Sequence, residues 1–254
     1  NGINLGQSNS GGGADFNGAD TVNMIVPGSS DFGYGTGDYT IEFFVFKYSD
    51  KNYNTYYDQR TSTQNATTNS PFLYSDSGGT LYFHLGTERI SGTGTNIATG
   101  AWTHVALCRS SGSTKLFVDG TQIGSTYSDS NNYVTPASNW SVGGSLEQSL
   151  YNVEAVMSNV RVVKGSALYT SNFTAPTSAL TAVSGTVLLA LQGDDPFVDN
   201  SSSGHSLTNN GAKAVSFGPF DADDAGEGGL VWIKKRSNTS DNCLTDTERG
   251  ATKF

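Results

Sequence analysis

The sequence predicts an all-β protein, a β-sandwich with Greek-key or jelly-roll connections followed by a short C-terminal extension. Three observations predict it. Gly is abundant (31 residues), Met is nearly absent (2) and aromatics reach 11%, a composition suited to short strands and tight turns. Several stretches alternate apolar and polar residues with the period of a strand. Turn signals separate these stretches at short intervals, giving about ten or more strands with no internal repeat, as expected of Greek-key or jelly-roll connections. At 254 residues the chain has room for one large all-β domain or two ordinary ones.

Taken in order, residues 1–14 are Gly, Ser and Asn with little to bury, and read as a flexible linker. The sandwich is assigned to 15–220, with structure beginning near Phe16. YTIEFFVFK, from Tyr39, places Tyr39, Ile41, Phe43 and Val45 on one strand face. The other face carries Thr40 and Glu42, then Phe44 and Phe46, so its later half is expected to be covered on both sides. The polar segment from Ser49 to Ser70 is either a strand with long flanking loops or an exposed surface feature. Leu81 to Leu85 reads as a strand, and RISGTGTNIATG as turns. WTHVALCR and KLFVDG follow, and the Asp119-Gly120 pair signals a type I′ hairpin into TQIGSTY. Strand character returns at Trp140 to Gly144, Met157 to Gly165 and Thr186 to Gln192. The intervening SALYTSNFTAPT is expected to form an irregular or helical turn before Pro176. Past Phe220 the character changes: residues 221–254 read as an acidic hinge and the start of a second module. The chain opens without Met and stops just after an apparent motif, so it reads as part of something longer.

The formal net charge is -9 with 14 Lys+Arg, which provides no field for phosphates and argues against nucleic-acid or anionic-membrane partners. No apolar run reaches the length of a membrane span, so no membrane insertion is expected. Cys108 and Cys243 are too few for a disulfide framework and lack metal-ligand spacing. Nor does catalysis find its residues. Retaining glycoside hydrolysis needs two carboxyls about 5 Å apart, and Glu42, Glu88, Glu147 and Glu154 stand isolated from partner carboxylates. His104 and Cys108 share strand parity but lie about 13 Å apart along a strand, too far to cooperate. His104 is read as a structural histidine and Cys108 as a small core residue. No catalytic residue is assigned.

The ordered fragments DYTIEFFV, AWTHVALCR, KLFVDG, WSVGG and MSNVRVVKGSALYTSNFTAPT resemble the laminin-G-like branch of the concanavalin A-like lectin/glucanase superfamily, over residues 14–180. A narrower resemblance joins SNVRVVKGSALYTSNFTAPT, TVLLALQ, FVDNSSSGHSLTNNG and GPF to modules in structural proteins of tailed bacteriophages, particularly marine ones. GLVWIKKRS and DTERGATK are similar to another module of such proteins. The resemblance implies an all-β, two-sheet antiparallel jelly-roll sandwich of concanavalin A-like type, with ligand sites on rim loops or the concave face. It further implies a non-enzymatic structural protein of a phage particle, a fibre, appendage or capsid decoration on the virion surface. Its partners would be other virion proteins and host surface glycans, and it would form homo-oligomers. The alternative is a secreted or cell-surface carbohydrate-binding module of a cellular organism.

Two kinds of site follow from the resemblance. Lectin-like glycan recognition uses aromatic platforms beside Asn or Asp. The candidates are Tyr53, Tyr56, Tyr57 and Asp58, next to Arg60, and Asn131, Asn132 and Tyr133. Alternating Tyr on a strand is as often core packing. Some laminin-G-like domains hold Ca²⁺ at the rim, and Asp194, Asp195 and Asp199 would be the ligands here. They do not map onto the family's usual calcium positions, and the favoured reading has Asp199 and Asn200 capping a turn, with no metal and no cofactor.

Overall fold

The computed structural model describes residues 12–60, 69–146 and 151–220, and the backbone of 231–233, 243–246 and 250–253. The expected linker up to residue 11, the acidic hinge at 221–230 and Glu147 lie outside the described residues. The chain divides into two compact units, Asn1–Phe220 and Asp221–Phe254.

The first unit contains β1 (Gly13–Asn17), β2 (Asn23–Val26), β3 (Tyr39–Lys47), β4 (Tyr53–Asp58), β5 (Phe72–Asp76), β6 (Thr80–His84), β7 (Glu88–Asn96) and β8 (Trp102–Ser110). It continues with β9 (Ser113–Val118), β10 (Thr121–Ser128), β11 (Trp140–Val142), β12 (Glu154–Lys164), β13 (Thr186–Ala190), β14 (Thr208–Asn210) and β15 (Lys213–Val215). One sheet runs β10-β9-β8-β3-β12-β1-β15, with β13 also on β12, and the other runs β14-β2-β11-β4-β5-β6-β7. All these pairings are antiparallel. The described residues contain no α-helix, only a 3-10 turn at Ser30–Phe32. The second unit pairs β16 (Val231–Ile233), β17 (Cys243–Asp246) and β18 (Gly250–Lys253), with β17 central.

Residues paired across strands share a face, so register shows how the core assembles. Ile41 faces Leu107 and Val162, and Phe43 faces Val105; with Val45 and Met157 they form the inner face of the first sheet. Met24, Val26, Trp140, Val142, Leu73, Phe83 and Ile90 close on them from the second sheet. The Asp119-Gly120 hairpin takes the two positive φ angles of its type, 47° and 78°.

Two expectations change. Among the described residues the first strand begins at Gly13 rather than near Phe16, and Ala14 is fully buried. Composition hid this, because β1 needs glycine where a Cβ on Gly13 would lie 2.6 Å from the Met157 carbonyl oxygen. RISGTGTNIATG is not a run of turns: most of it belongs to β7, whose inner face Ile90 anchors in the core.

The outer face of the first sheet is sealed. The segment 166–180, irregular rather than helical, lies across it. Tyr169 and Phe173 stack at 3.6 Å against Cys108, Ala106 and Phe117, while Leu180 packs with Phe44 and Leu189. Beneath this strap Glu42 is completely buried. Its Oε1 accepts from Arg161 Nε (2.8 Å) and Nη2 (2.6 Å), and its Oε2 from Tyr169 Oη (3.0 Å). His104 Nε2 lies 3.1 Å from Oε2. His104 is therefore a packed member of an ionic cluster, and Cys108 donates to Thr40 (3.6 Å).

Candidate functional site

The outward face of the second sheet is built differently. In β5 and β6 the sequences FLYSD and LYFHL alternate, so Leu73, Leu81 and Phe83 turn into the core. Phe72, Tyr74, Asp76, Tyr82 and His84 turn outward. Register places Phe72 opposite His84, Tyr74 opposite Tyr82, His84 opposite Glu88 and Tyr53 opposite Asp76. The rings form a ladder: Phe72 stacks on Tyr74 (4.8 Å, 21°) and Tyr74 on Tyr82 (5.2 Å, 18°). Tyr53 extends it to Tyr74 (5.6 Å) and Tyr151 (4.4 Å). Because ladder rings cover one another's faces, Phe72 and Tyr74 are buried, whereas Tyr53 at the end is 38% exposed and Tyr82 half-buried.

Polar groups border this ladder. Tyr74 Oη donates to Glu88 (2.7 Å), which is otherwise exposed. Tyr82 Oη donates to Asp76 Oδ2 (3.0 Å), whose Oδ1 also accepts from the Gly78 and Thr80 amides. At the other end Arg60 forks onto Asp58 with two 2.8 Å bonds, lies 3.9 Å over the Phe72 ring, and leaves Asp58 Oδ2 to accept from Ser145 as well. His84 sits between the two ends. Its burial and the neighbouring Arg60 charge lower its pKa, which keeps the ring neutral, and its buried Nδ1 has no hydrogen-bond partner. An unpaired buried imidazole nitrogen is costly unless something supplies a partner.

Of the residues expected to bind glycans, Tyr53 lies on this face and is exposed. Tyr56 and Tyr57 do not reach a surface. A bulge between Thr55 and Tyr57 breaks the alternation, so both rings point inward, Tyr56 onto Phe43 and Tyr57 onto Trp140. Asp58 is on the face but sealed under Arg60. Tyr133 is buried too: it accepts from Tyr39 Oη (3.0 Å) and donates to Asp129 (2.6 Å). Asn131 is committed to Tyr127 and Asp129, which leaves Asn132 exposed. The second cluster is thus an interior hydrogen-bond network, and burial excludes Tyr56, Tyr57, Asp58 and Tyr133 from sugar contact. Sequence reasoning passed over Tyr74, Tyr82, His84 and Glu88, although the alternation in LYFHL announced an outward Tyr82 and His84.

The rim carboxylates do not fit a calcium site. Asp199 is buried and accepts from the amides of Leu189, Ser201 and His205 and from Ser201 Oγ. Those bonds are the turn-capping role and leave the carboxylate committed. Asp194 and Asp195 are exposed, and no group of three or more metal-ligating side chains occurs among the described residues.

Comparison with known proteins agrees with this architecture. A laminin-G-type family profile, described as concanavalin A-like lectin/glucanases superfamily, matches residues 16–169, more than half of the chain. A Bacteroides ovatus protein described as carbohydrate-binding superposes with a TM-score of 0.60 at 17% identity, over 82% of this chain and 60% of that one. The chain thus spans less than two thirds of the Bacteroides protein. The heptameric SAP-like pentraxin of Limulus polyphemus gives 0.55 at 13% identity, covering 82% of this chain and 96% of its own. No curated protein matches the sequence. These structural relatives are cellular proteins, from a bacterium and an arthropod, and they overturn the expectation of a phage structural protein on a virion surface. Strand-and-turn fragments in a common order belong to the fold itself and do not report the particle or cell it serves. The strand order, the sealed and open sheet faces and the family match converge: the chain belongs to the concanavalin A-like lectin/glucanases superfamily.

Proposed function

We propose that this chain is a carbohydrate-binding module of a cellular organism, secreted or held at the cell surface, that binds glycans without catalysis on the outward face of its second sheet. The observation that carries this reading is the outward ladder, with exposed Tyr53 and half-buried Tyr82 and His84 beside the exposed Glu88 carboxylate and the Tyr74 ring. A sugar offers hydroxyls for the bordering carboxylates and a C–H surface for the outermost rings. The non-catalytic reading is supported by Glu42 being enclosed by Arg161, His104 and Tyr169, away from this face. A single shallow face of this kind binds weakly, and repeated copies of the chain on one assembly would raise its avidity.

The test is a glycan array followed by titration calorimetry on the whole chain. Tyr53→Ala and His84→Ala should each weaken binding about tenfold, the equivalent of one lost stacking or hydrogen-bond contact, with the melting temperature preserved. Full affinity in both variants would place the site elsewhere. Release of product from a polysaccharide panel would refute the non-catalytic reading.

A further inference from the structure

Resting on that binding reading, we propose that the same face selects neutral, hydroxyl-rich glycans and rejects sialylated, uronate-bearing or sulfated ones. Glu88 and Asp76 would be the residues that discriminate. The charges of the face decide it. Arg60 is its outward cation, and both arms of its fork are bound to Asp58. Arg89, next to Glu88 in sequence, turns instead to the Leu85 carbonyl (2.9 Å) and lies 5.2 Å from the Tyr127 ring. Glu88 and Asp76 receive only neutral donors, Tyr74 Oη on one and Tyr82 Oη with two backbone amides on the other, and neither forms an ion pair. Two uncompensated carboxylates therefore flank the ladder on β5 and β7.

The neighbouring sequence does not alter this balance. Residues 61–68, which follow Arg60, carry no ionisable side chain, and residues 147–150 add only Glu147. Carboxylate oxygens accept hydrogen bonds and cannot donate. Against sugar hydroxyls they are satisfied partners; against a carboxylate or sulfate they present acceptor to acceptor and like charge to like charge. A partly desolvated surface makes that repulsion stronger than bulk water would.

The experiment compares matched probes on the whole chain: neutral gluco-, galacto-, manno- and xylo-oligosaccharides beside sialylated, uronate-bearing and sulfated counterparts of the same length. The expected result is binding to a neutral probe and at least about tenfold weaker binding to its acidic counterpart, a modest penalty for two nearby like charges. The double variant Glu88→Gln with Asp76→Asn should bring the acidic probe to within about threefold of the neutral one, since most of that repulsion is then removed. Glu88→Gln keeps an acceptor oxygen for Tyr74, and Asp76→Asn keeps one for the Gly78–Thr80 turn while its amide nitrogen donates to the Tyr82 hydroxyl instead of accepting from it; a thermal melt verifies the fold. Equal or tighter wild-type binding to acidic probes overturns the inference while leaving glycan binding intact. Discrimination that survives in the double variant overturns the assignment to Glu88 and Asp76. Binding to no probe at all overturns the carbohydrate reading and this inference with it.

Discussion

Replacing Glu42 by Gln should destabilise the sandwich by about 3–5 kcal/mol, the cost of breaking a buried ion pair by removing one partner. The carboxylate is 0% exposed and Arg161 only 6%. Arg161 Nη1 already donates to the Thr181 carbonyl (2.7 Å), so its Nε and Nη2 depend on Glu42 Oε1. An amide retains one acceptor oxygen but no charge, leaving a buried guanidinium without its counterion. In a domain of this size each kcal/mol moves the melting temperature by about 2–4 °C, so the variant should melt roughly 6–20 °C lower. Urea unfolding followed by Trp fluorescence measures the free energy directly. Replacing both partners, Glu42→Met with Arg161→Met, should recover only part of the loss, because it removes the stranded charge but leaves Tyr169 Oη, His104 Nε2 and the Thr181 carbonyl without their partners. The same carboxylate sets an acid limit. Burial raises its pKa, but the hydrogen bond with His104 and the Arg161 guanidinium outweigh burial and hold it below the usual carboxylate value. A depressed folded-state pKa contributes stability that is complete above the unfolded pKa, about 4.3, and is lost as pH falls through the folded one. The urea midpoint of the wild type should therefore drop below about pH 4.3, and that of Glu42→Gln should drop less. A loss under about 1 kcal/mol at neutral pH, within the range of a surface pair, would refute the reasoning.

Three further outcomes follow from other sites. Gly120→Ala should cost at least about 2 kcal/mol by chemical denaturation, because Gly120 has φ 78° and its Cβ would lie 2.0 Å from the Phe173 carbonyl oxygen, forcing the strap off the hairpin. Cys108 is buried and its thiol is pushed up to about 12, chiefly by burial. In a Cys243→Ser background it should not react with an aromatic disulfide reagent at pH 8 until denaturant is added. Asp129→Ala removes the acceptor shared by Thr114 (2.6 Å), Tyr133 (2.6 Å) and Asn131, beside buried Arg109, and should lower stability by about 3 kcal/mol in the same urea assay.

The parts of the fold that sequence made legible are those where side chains obey the two-residue period. YTIEFFVFK was read correctly on both faces because β3 is central and regular through Phe44, and Asp119-Gly120 because only one turn type accepts two positive φ values in that hairpin. Legibility failed where one residue disturbed the period or where contact replaced bulk. The bulge at Tyr56 turned two adjacent tyrosines into the core, so a Tyr-rich stretch that resembles a wet platform is interior packing. Tyr133 sits in a polar loop by sequence, yet Arg109 draws that loop inward through the Asp129 carbonyl (2.7 Å). No local pattern carries such a contact between residues far apart in the chain. The glycine-rich start of β1 lacked apolar bulk because its neighbours approach too closely to leave room for any.

The two outer faces explain where binding can reside in this sandwich. Both carry buried charge pairs beside aromatic rings, so composition does not separate them. The difference is the strap. On the first sheet Tyr169 and Phe173 cover the ionic cluster, and Tyr169 itself supplies a donor to Glu42, so the polar groups there are shut away from solvent, His104 Nδ1 included, which has no partner either. On the second sheet the rings satisfy one another by stacking, while Glu88 reaches solvent and His84 Nδ1 lacks a donor or acceptor. A face closed by such a strap gives a ligand no polar atom to reach, paired or not. On the proposed reading, the exposed Glu88 carboxylate and the outermost rings are what a ligand on the second sheet would meet, and the carboxylates would set which hydroxyl-bearing molecules can approach.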